Sequence, residues 1–359
     1  VNHILLITLS GEDQPGVTAG ITAILSRHAA SILDIGQAVI HATLSLGVLA
    51  EVPEGGAREE VVRAIETFAL ERDLRLRINP VDSPDYHQWV EAQGQPRYII
   101  TLLARKITAD HLARVTAVVS GHGLNIDGIN RLSGRIPLGD LPAQSKACVE
   151  FSVRGTLPAP AAFRGELLEV AGELDVDLAF QQDNMFRRNR RLVAFDMDST
   201  LIEAEVIDEL ARVAGVGDKV SAITERAMRG EIDFSESFRA RVALLRGLPE
   251  SALERVAGEL KITEGAEHLI STLRKLGYRT AILSGGFTYF AHHLRERLGM
   301  DYVYANELDI EDGAVTGEIR GDIVDGARKA ELLRHLAAEE GIDLQQTIAV
   351  GDGANDLPM

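Results

Sequence analysis

The stretch Arg191-Leu-Val-Ala-Phe-Asp196-Met-Asp198-Ser199-Thr200-Leu201 decides how this chain is read. Residues 192–195 are short and wholly apolar, the pattern of a strand buried on both faces of a parallel sheet. Two aspartates follow, one residue apart, and then two hydroxyls. Ligands of an open α/β sheet bind beyond the carboxyl ends of its strands, so Asp196 and Asp198 are expected together at that mouth. Carboxylates so close raise each other's pKa unless a cation or a proton separates them. Mg²⁺ is the simple cation for the place, a hard ion that takes few carboxylates and keeps positions for phosphate oxygens. The pair then offers one carboxylate as a nucleophile for phosphorus and one as a proton shuttle. The bland alternative is a helix N-cap with a spare acid, because Ser, Thr and Asp favour that place.

Three further segments weigh against the bland alternative. Leu283-Ser284-Gly285-Gly286 follows an apolar run, and a small hydroxyl with two glycines at a strand end allows close approach to a phosphate. Lys329 lies at the start of an amphipathic helix, placed to neutralise a phosphoryl group. Val350-Gly351-Asp352-Gly353-Ala-Asn355-Asp356 follows another short strand and adds acids for a metal. A tight turn, a solvated lysine and a polar loop would each explain one segment, but not all three in this order.

The order resembles the haloacid-dehalogenase superfamily of phosphotransferases over residues 190–359, and within it the phosphoserine phosphatases. The resemblance implies a Rossmann-like domain in which Asp196 becomes an aspartyl phosphate. It makes Asp198 the general acid and base, with its backbone carbonyl on Mg²⁺, and Asp196 and Asp352 metal ligands. Ser284, Gly285, Gly286 and Lys329 become phosphate binders, and Gly353, Asn355 and Asp356 complete the last loop, with Asn355 on the substrate. Residues 205–262 have a helical pattern broken at Gly215, Gly217, Gly230 and Gly247, and are expected to form a cap that excludes water. By the same resemblance Glu205 meets a substrate ammonium, Arg241 a substrate carboxylate and Met228 an apolar part. An exposed helical face is the plain alternative for Glu205 and Arg241. Residues 302–319 alternate around Asp312-Gly313, a hairpin signal expected to mark a second small insert.

The residues before the catalytic block carry a repeat. Residues 3–9 read as strand, 17–30 as helix with Val17, Ile21, Ile24 and Leu25 on one face, 32–49 as two strands, 58–69 as helix and 74–78 as strand. That βαββαβ order is ferredoxin-like. It recurs from Tyr98 to Phe180 after a linker at 83–96, so two units of roughly 80–90 residues are expected. Asp13-Gln-Pro15-Gly16 after the first strand resembles the turn of ACT domains, small modules that often bind amino acids between paired copies. A plain strand-to-helix turn is the alternative. The resemblance makes Asp13 and Gly16 contacts for a regulatory amino acid, expected to be serine. The second unit has Ala104-Arg-Lys-Ile-Thr-Ala-Asp110 there, without Pro-Gly.

The expected fold class is therefore α/β, with ACT-like domains at 1–82 and 97–184 and a phosphatase domain at 190–359. A chain of 359 residues with 45% apolar content supports several cores. Its net charge of −17 argues against nucleic-acid binding, which rests on clustered Lys and Arg. Cys148 is the only cysteine, so no internal disulfide forms, and it is expected as a buried small hydrophobe in a strand. No segment reaches the length of a membrane span and the first residues lack a basic flank, so a cytoplasmic location is expected; a homodimer is expected as the assembly. An open α/β domain would ordinarily continue beyond the 351–356 loop, so a further C-terminal segment is expected. The implied reaction is Mg²⁺-dependent hydrolysis of O-phosphoserine to serine and phosphate, the last step of serine synthesis. The rivals are another small phosphate ester as substrate, or an amino-acid sensor with a vestigial catalytic domain.

Overall fold

Apolar residues alternate along the first strand, so one face of it must be covered. In the computed structural model, which describes residues 3–53, 57–135 and 146–359, this strand is β1 (His3–Glu12). It is followed by α1 (Val17–Arg27), β2 (Ser31–Ile40), β3 (Thr43–Val52), α2 (Ala57–Glu71) and β4 (Arg75–Val81). The antiparallel sheet has the order β2-β3-β1-β4, with Ile7 opposite Val48 and Ile78. Leu5, Ile7 and Leu9 of β1 and Leu44 to Val52 at every second position of β3 face α1 and α2. The helices present Val17, Ile21, Ile24, Leu25, Val61 and Ile65, spaced by three and four residues as one helix face requires.

The segment expected as a linker is instead a helix, α3 (Ser83–Gln93). Asp82 caps it by accepting from Asp85 N, and a proline sits in its first turn. Both are helix-start signals. The helix buries no residue, so it has no apolar periodicity to reveal it. The second unit of the repeat follows as β5 (Arg97–Ala104), α4 (Ala109–Gly121), β6 (Asn125–Arg131), β7 (Ala147–Arg154), α5 (Pro160–Leu174) and β8 (Asp177–Gln182). Its sheet order, β6-β7-β5-β8, reproduces that of the first sheet. Cys148 departs from the expectation of full burial. Alternation along β7 turns Ala147, Val149, Phe151 and Val153 inward and leaves Cys148 on the other face, half-buried.

Residues 181–359 form a second compact unit. It begins with β9 (Leu192–Phe195), whose four residues are all buried. Val193 and Phe195 enter one core while Leu192 and Ala194 enter the other, as expected of a strand covered on both faces. Four helices follow: α6 (Val206–Val213), α7 (Gly217–Met228), α8 (Phe234–Ala243) and α9 (Glu250–Glu259). Then come α10 (Ala266–Lys275), β10 (Arg279–Phe287), α11 (Thr288–Leu298), β11 (Tyr302–Glu311), β12 (Ala314–Arg320), α12 (Gly326–Glu339) and β13 (Thr347–Val350). The sheet order is β12-β11-β10-β9-β13, parallel except for β12. The 302–319 hairpin is thus built into this sheet rather than set apart. The start of β11 pairs with β10, and its later part pairs with β12. No described helix is long and apolar enough to cross a membrane.

Candidate active site

Three strand ends meet because β9 lies between β10 and β13. Phe195 is level with Ile282 on one side and Val350 on the other. Asp196, the Ser284-Gly285-Gly286 turn and the 351–356 loop therefore emerge together. Asp196 N donates to Val350 O at 2.8 Å, which extends the pairing to the aspartate itself.

Lys329 enters from the first turn of α12, where Asp325 caps the helix by accepting from Arg328 N. It is fully buried; its Nζ donates to Asp356 Oδ1 at 2.7 Å and forms an ion pair with Asp196 Oδ1 at 2.9 Å. A buried ammonium needs such partners. Asp356 Oδ2 also accepts from Gly353 N at 3.1 Å. Gly351 is required by this packing, since a Cβ there would run into the Asp356 carboxyl.

Asp196 Oδ1 also accepts from Met197 N at 2.7 Å. Among the described residues Asp196 Oδ2 accepts no hydrogen bond, which leaves it free for a ligand. Burial raises the Asp196 carboxyl above its usual range, against the opposing pull of Lys329. Asp198 faces the other way. Its Oδ1 accepts from Val206 N, a helix-start amide of α6, at 2.9 Å. Burial, and then the Glu205 charge, push its carboxyl well above the usual range. A Cβ at Gly286 would stand 2.5 Å from Asp198 Oδ2, so the second glycine of the turn is what allows this approach.

A cavity of about 620 Å³ opens over these groups. Asp196, Asp198, Glu205, Arg241, Gly285, Gly286, Asp352 and Asn355 all line it. Ser284 and Lys329 do not line it. Both are fully buried beneath it, and Ser284 Oγ accepts from Gly286 N at 2.9 Å. Glu205 is the N-cap residue of α6, and its Oε1 accepts from Ser199 Oγ at 3.0 Å. Burial raises its carboxyl. Arg241 rises from the last turn of α8, where burial lowers its pKa without discharging it, and the charges of Asp208, Glu205 and Asp198 oppose that shift. Met228 closes α7, and its side chain lies outside those described.

Asp196, Asp352 and Asp356 bring one carboxylate oxygen each to within 4.8 Å of one another. Three hard oxygen donors suit a divalent cation such as Mg²⁺ or Ca²⁺. The Asp198 carboxylate is not in this group, being held by α6. The third member is Asp356, one of the acids of that loop in the sequence reading but not among the individually named metal ligands.

Sequence reasoning also missed Asn306 on β11. This side chain is 1% exposed. Its Nδ2 donates to Gly285 O at 2.8 Å, and its Oδ1 accepts from Val324 N at 2.8 Å. It thus ties the Ser284–Gly286 turn to the segment leading into α12 and Lys329. Asp208 and Phe234 line the cavity as well. Asp208 had a visible signal, lying three residues after Glu205 on one helix face.

In the other unit, the 13–16 turn has Gly16 at φ +90° as N-cap of α1, with no side chain capping that helix. Asp13 is exposed. Arg72 braces the turn, accepting from Gln14 Nε2 through its carbonyl and donating to Pro15 O through Nη1. The second sheet solves the same junction differently. Thr108 and His111 form a reciprocal cap at the start of α4, so no left-handed glycine is needed.

Comparison with known proteins agrees with this geometry. Residues 193–359 match the haloacid dehalogenase-like hydrolases, and residues 3–79 match the ACT domain. The phosphoserine phosphatase of Streptomyces coelicolor is 40% identical over 355 residues, covering 99% of this chain and 83% of that protein. That of Mycobacterium tuberculosis is 40% identical over 364 residues, covering 99% and 84%. Among solved structures, a hydrolase of the haloacid-dehalogenase family from Salmonella enterica superposes with a TM-score of 0.59 at 30% identity, covering 73% of this chain and 86% of that one. The chain belongs to the phosphoserine phosphatases of the haloacid-dehalogenase-like hydrolase family, with an N-terminal ACT region.

Proposed function

We propose that this chain hydrolyses O-phosphoserine to serine and inorganic phosphate through a phosphoryl group carried on Asp196. The observation that carries the reading is the cavity itself, where an acid and an arginine, Glu205 and Arg241, face the mouth that holds Asp196. A phosphorylated amino acid has the matching charges, with an ammonium for Glu205, a carboxylate for Arg241 and a phosphate for the strand ends. An arginine fork suits a carboxylate better than a lysine would.

Asp196 Oδ2 attacks phosphorus, and the bond from phosphorus to the serine oxygen breaks. Asp198, whose carboxyl is pushed up by burial and by the Glu205 charge, is the acid that delivers a proton to the leaving oxygen. The carboxylate then takes a proton from water, whose oxygen attacks phosphorus and releases phosphate from Asp196. Lys329 stabilises the charge on Asp196 and, with the turn at Ser284–Gly286, orients the phosphate. Asp196, Asp352 and Asp356 would hold Mg²⁺, which when bound supplies positive charge to the phosphate oxygens.

The proposed division keeps domains at 1–82, 97–184 and 190–359, with the cap at about 205–262. The Asp13–Gly16 turn is assigned to the binding of serine as a regulator, with two chains in the active assembly. The test of the substrate reading is phosphate release from a panel of small phosphate esters, with and without Mg²⁺. O-phosphoserine should be the best substrate and chelation should abolish turnover. Equal use of esters lacking the amino-acid head group would refute the assignment.

A further inference from the structure

Two buried polar atoms on α8 have no hydrogen-bond partner among the described residues, Ser237 Oγ and Arg241 Nε. Buried polar groups are almost always paired, so each such atom calls for a reason. Both residues line the 620 Å³ cavity. They are four residues apart on one helix, which sets them one above the other on the same face. A helical side chain leans back towards the N-terminus of its helix, so Arg241 reaches over the turn that carries Ser237.

The surroundings give Ser237 no other use. It is 1% exposed. Its neighbour in sequence, Phe238, packs against Phe234 and Phe287. Its hydroxyl does not bond back to the carbonyl one turn earlier, the usual resort of a helical serine. Arg241, for its part, forms no ion pair within 4.0 Å among the described residues. A carboxylate has about four acceptor sites, and an arginine used edge-on fills only two of them.

We infer that Ser237 is a specificity-determining residue, whose hydroxyl joins Arg241 Nε in binding the carboxylate of the amino-acid substrate. The inference rests on the proposed reaction and adds to it a third donor at the head group. Ser237 then acts on which ester is accepted and leaves the chemistry at phosphorus to Asp196 and Asp198.

The experiment compares O-phosphoserine with O-phosphoethanolamine, the same ester without the carboxylate, in wild type and Ser237→Ala. The variant should lose about 10- to 100-fold in kcat/KM on O-phosphoserine, the factor for a lost hydrogen bond to a charged group. The loss should fall on KM. The loss on O-phosphoethanolamine should be at least about tenfold smaller, with the melting temperature held. Equal losses on the two esters, or no loss on O-phosphoserine, would overturn the inference. Should Ser237→Ala fail to fold, Ser237→Cys keeps the volume with a weaker donor and is read by the same one-sided or even-handed loss. A wild-type chain that uses both esters equally would overturn the proposed function itself, whatever Ser237 does.

Discussion

The two compact units differ in what they bury. Asp196, Asp198, Ser237, Thr280, Ser284, Asn306, Lys329 and Asp356 are the buried polar and charged side chains among the described residues, and all lie in the unit from 181 to 359. The cores of the two N-terminal sheets are apolar throughout. Burying a charge is costly unless it is paired, and a paired buried charge is weak evidence for stability alone. A unit that carries an ammonium between two carboxylates is therefore organised around a ligand. The N-terminal unit has apolar cores, and the Gly16 turn lies at its surface.

That contrast breaks if the buried charges prove indifferent. Lys329→Met removes the cation between Asp196 and Asp356. Folding stability of the catalytic unit should fall by about 3–5 kcal/mol, the cost of leaving buried charge unpaired. Urea unfolding measures this, and a midpoint equal to that of wild type would mean that the two carboxylates are not charged there. Activity should be lost as well.

Arg241→Ala probes the cavity without touching the buried network. The loss in kcat/KM on O-phosphoserine should correspond to about 2–5 kcal/mol, the range for truncating one partner of a desolvated charge pair. An ester lacking the carboxylate should lose much less. Even losses would make Arg241 a structural residue of the cap.

The smallest effect belongs to the N-terminal unit. Serine should lower activity from a site away from the cavity, with a coupling of about 1–3 kcal/mol. Gly16→Val places a β-branched residue at φ +90° and should abolish that response while leaving uninhibited turnover near wild type. Simple competition by serine, equal in both proteins, would leave the turn without a regulatory role.

Much of this was legible in the sequence where periodicity or adjacency carried the signal. The run Leu192–Phe195 announced a strand covered on both faces, and the pair Asp196 and Asp198 announced the site. The repeat in the first half showed in alternation, because each strand there has one covered face. What escaped notice depends on partners far along the chain. Asn306 looks like any strand asparagine until Gly285 and Val324 stand on either side of it. Asp356 looks like a spare acid until Lys329, 27 residues earlier, reaches it. The 302–319 hairpin reads as local, and only pairing with β10 makes it part of the main sheet. Helix α3 had its cap in plain view at Asp82, but no buried face to support the reading.

The most direct test of the account asks where the phosphoryl group goes. Enzyme mixed with O-phosphoserine and Mg²⁺ is quenched in acid during turnover, digested and examined by mass spectrometry, alongside Asp196→Asn. The account predicts one phosphoryl group on the peptide containing Asp196. In Asp196→Asn it predicts no phosphoryl group, turnover lower by roughly 10⁴-fold or more, and an intact fold by circular dichroism. Full turnover in Asp196→Asn, or a phosphoryl group on another residue, would contradict it.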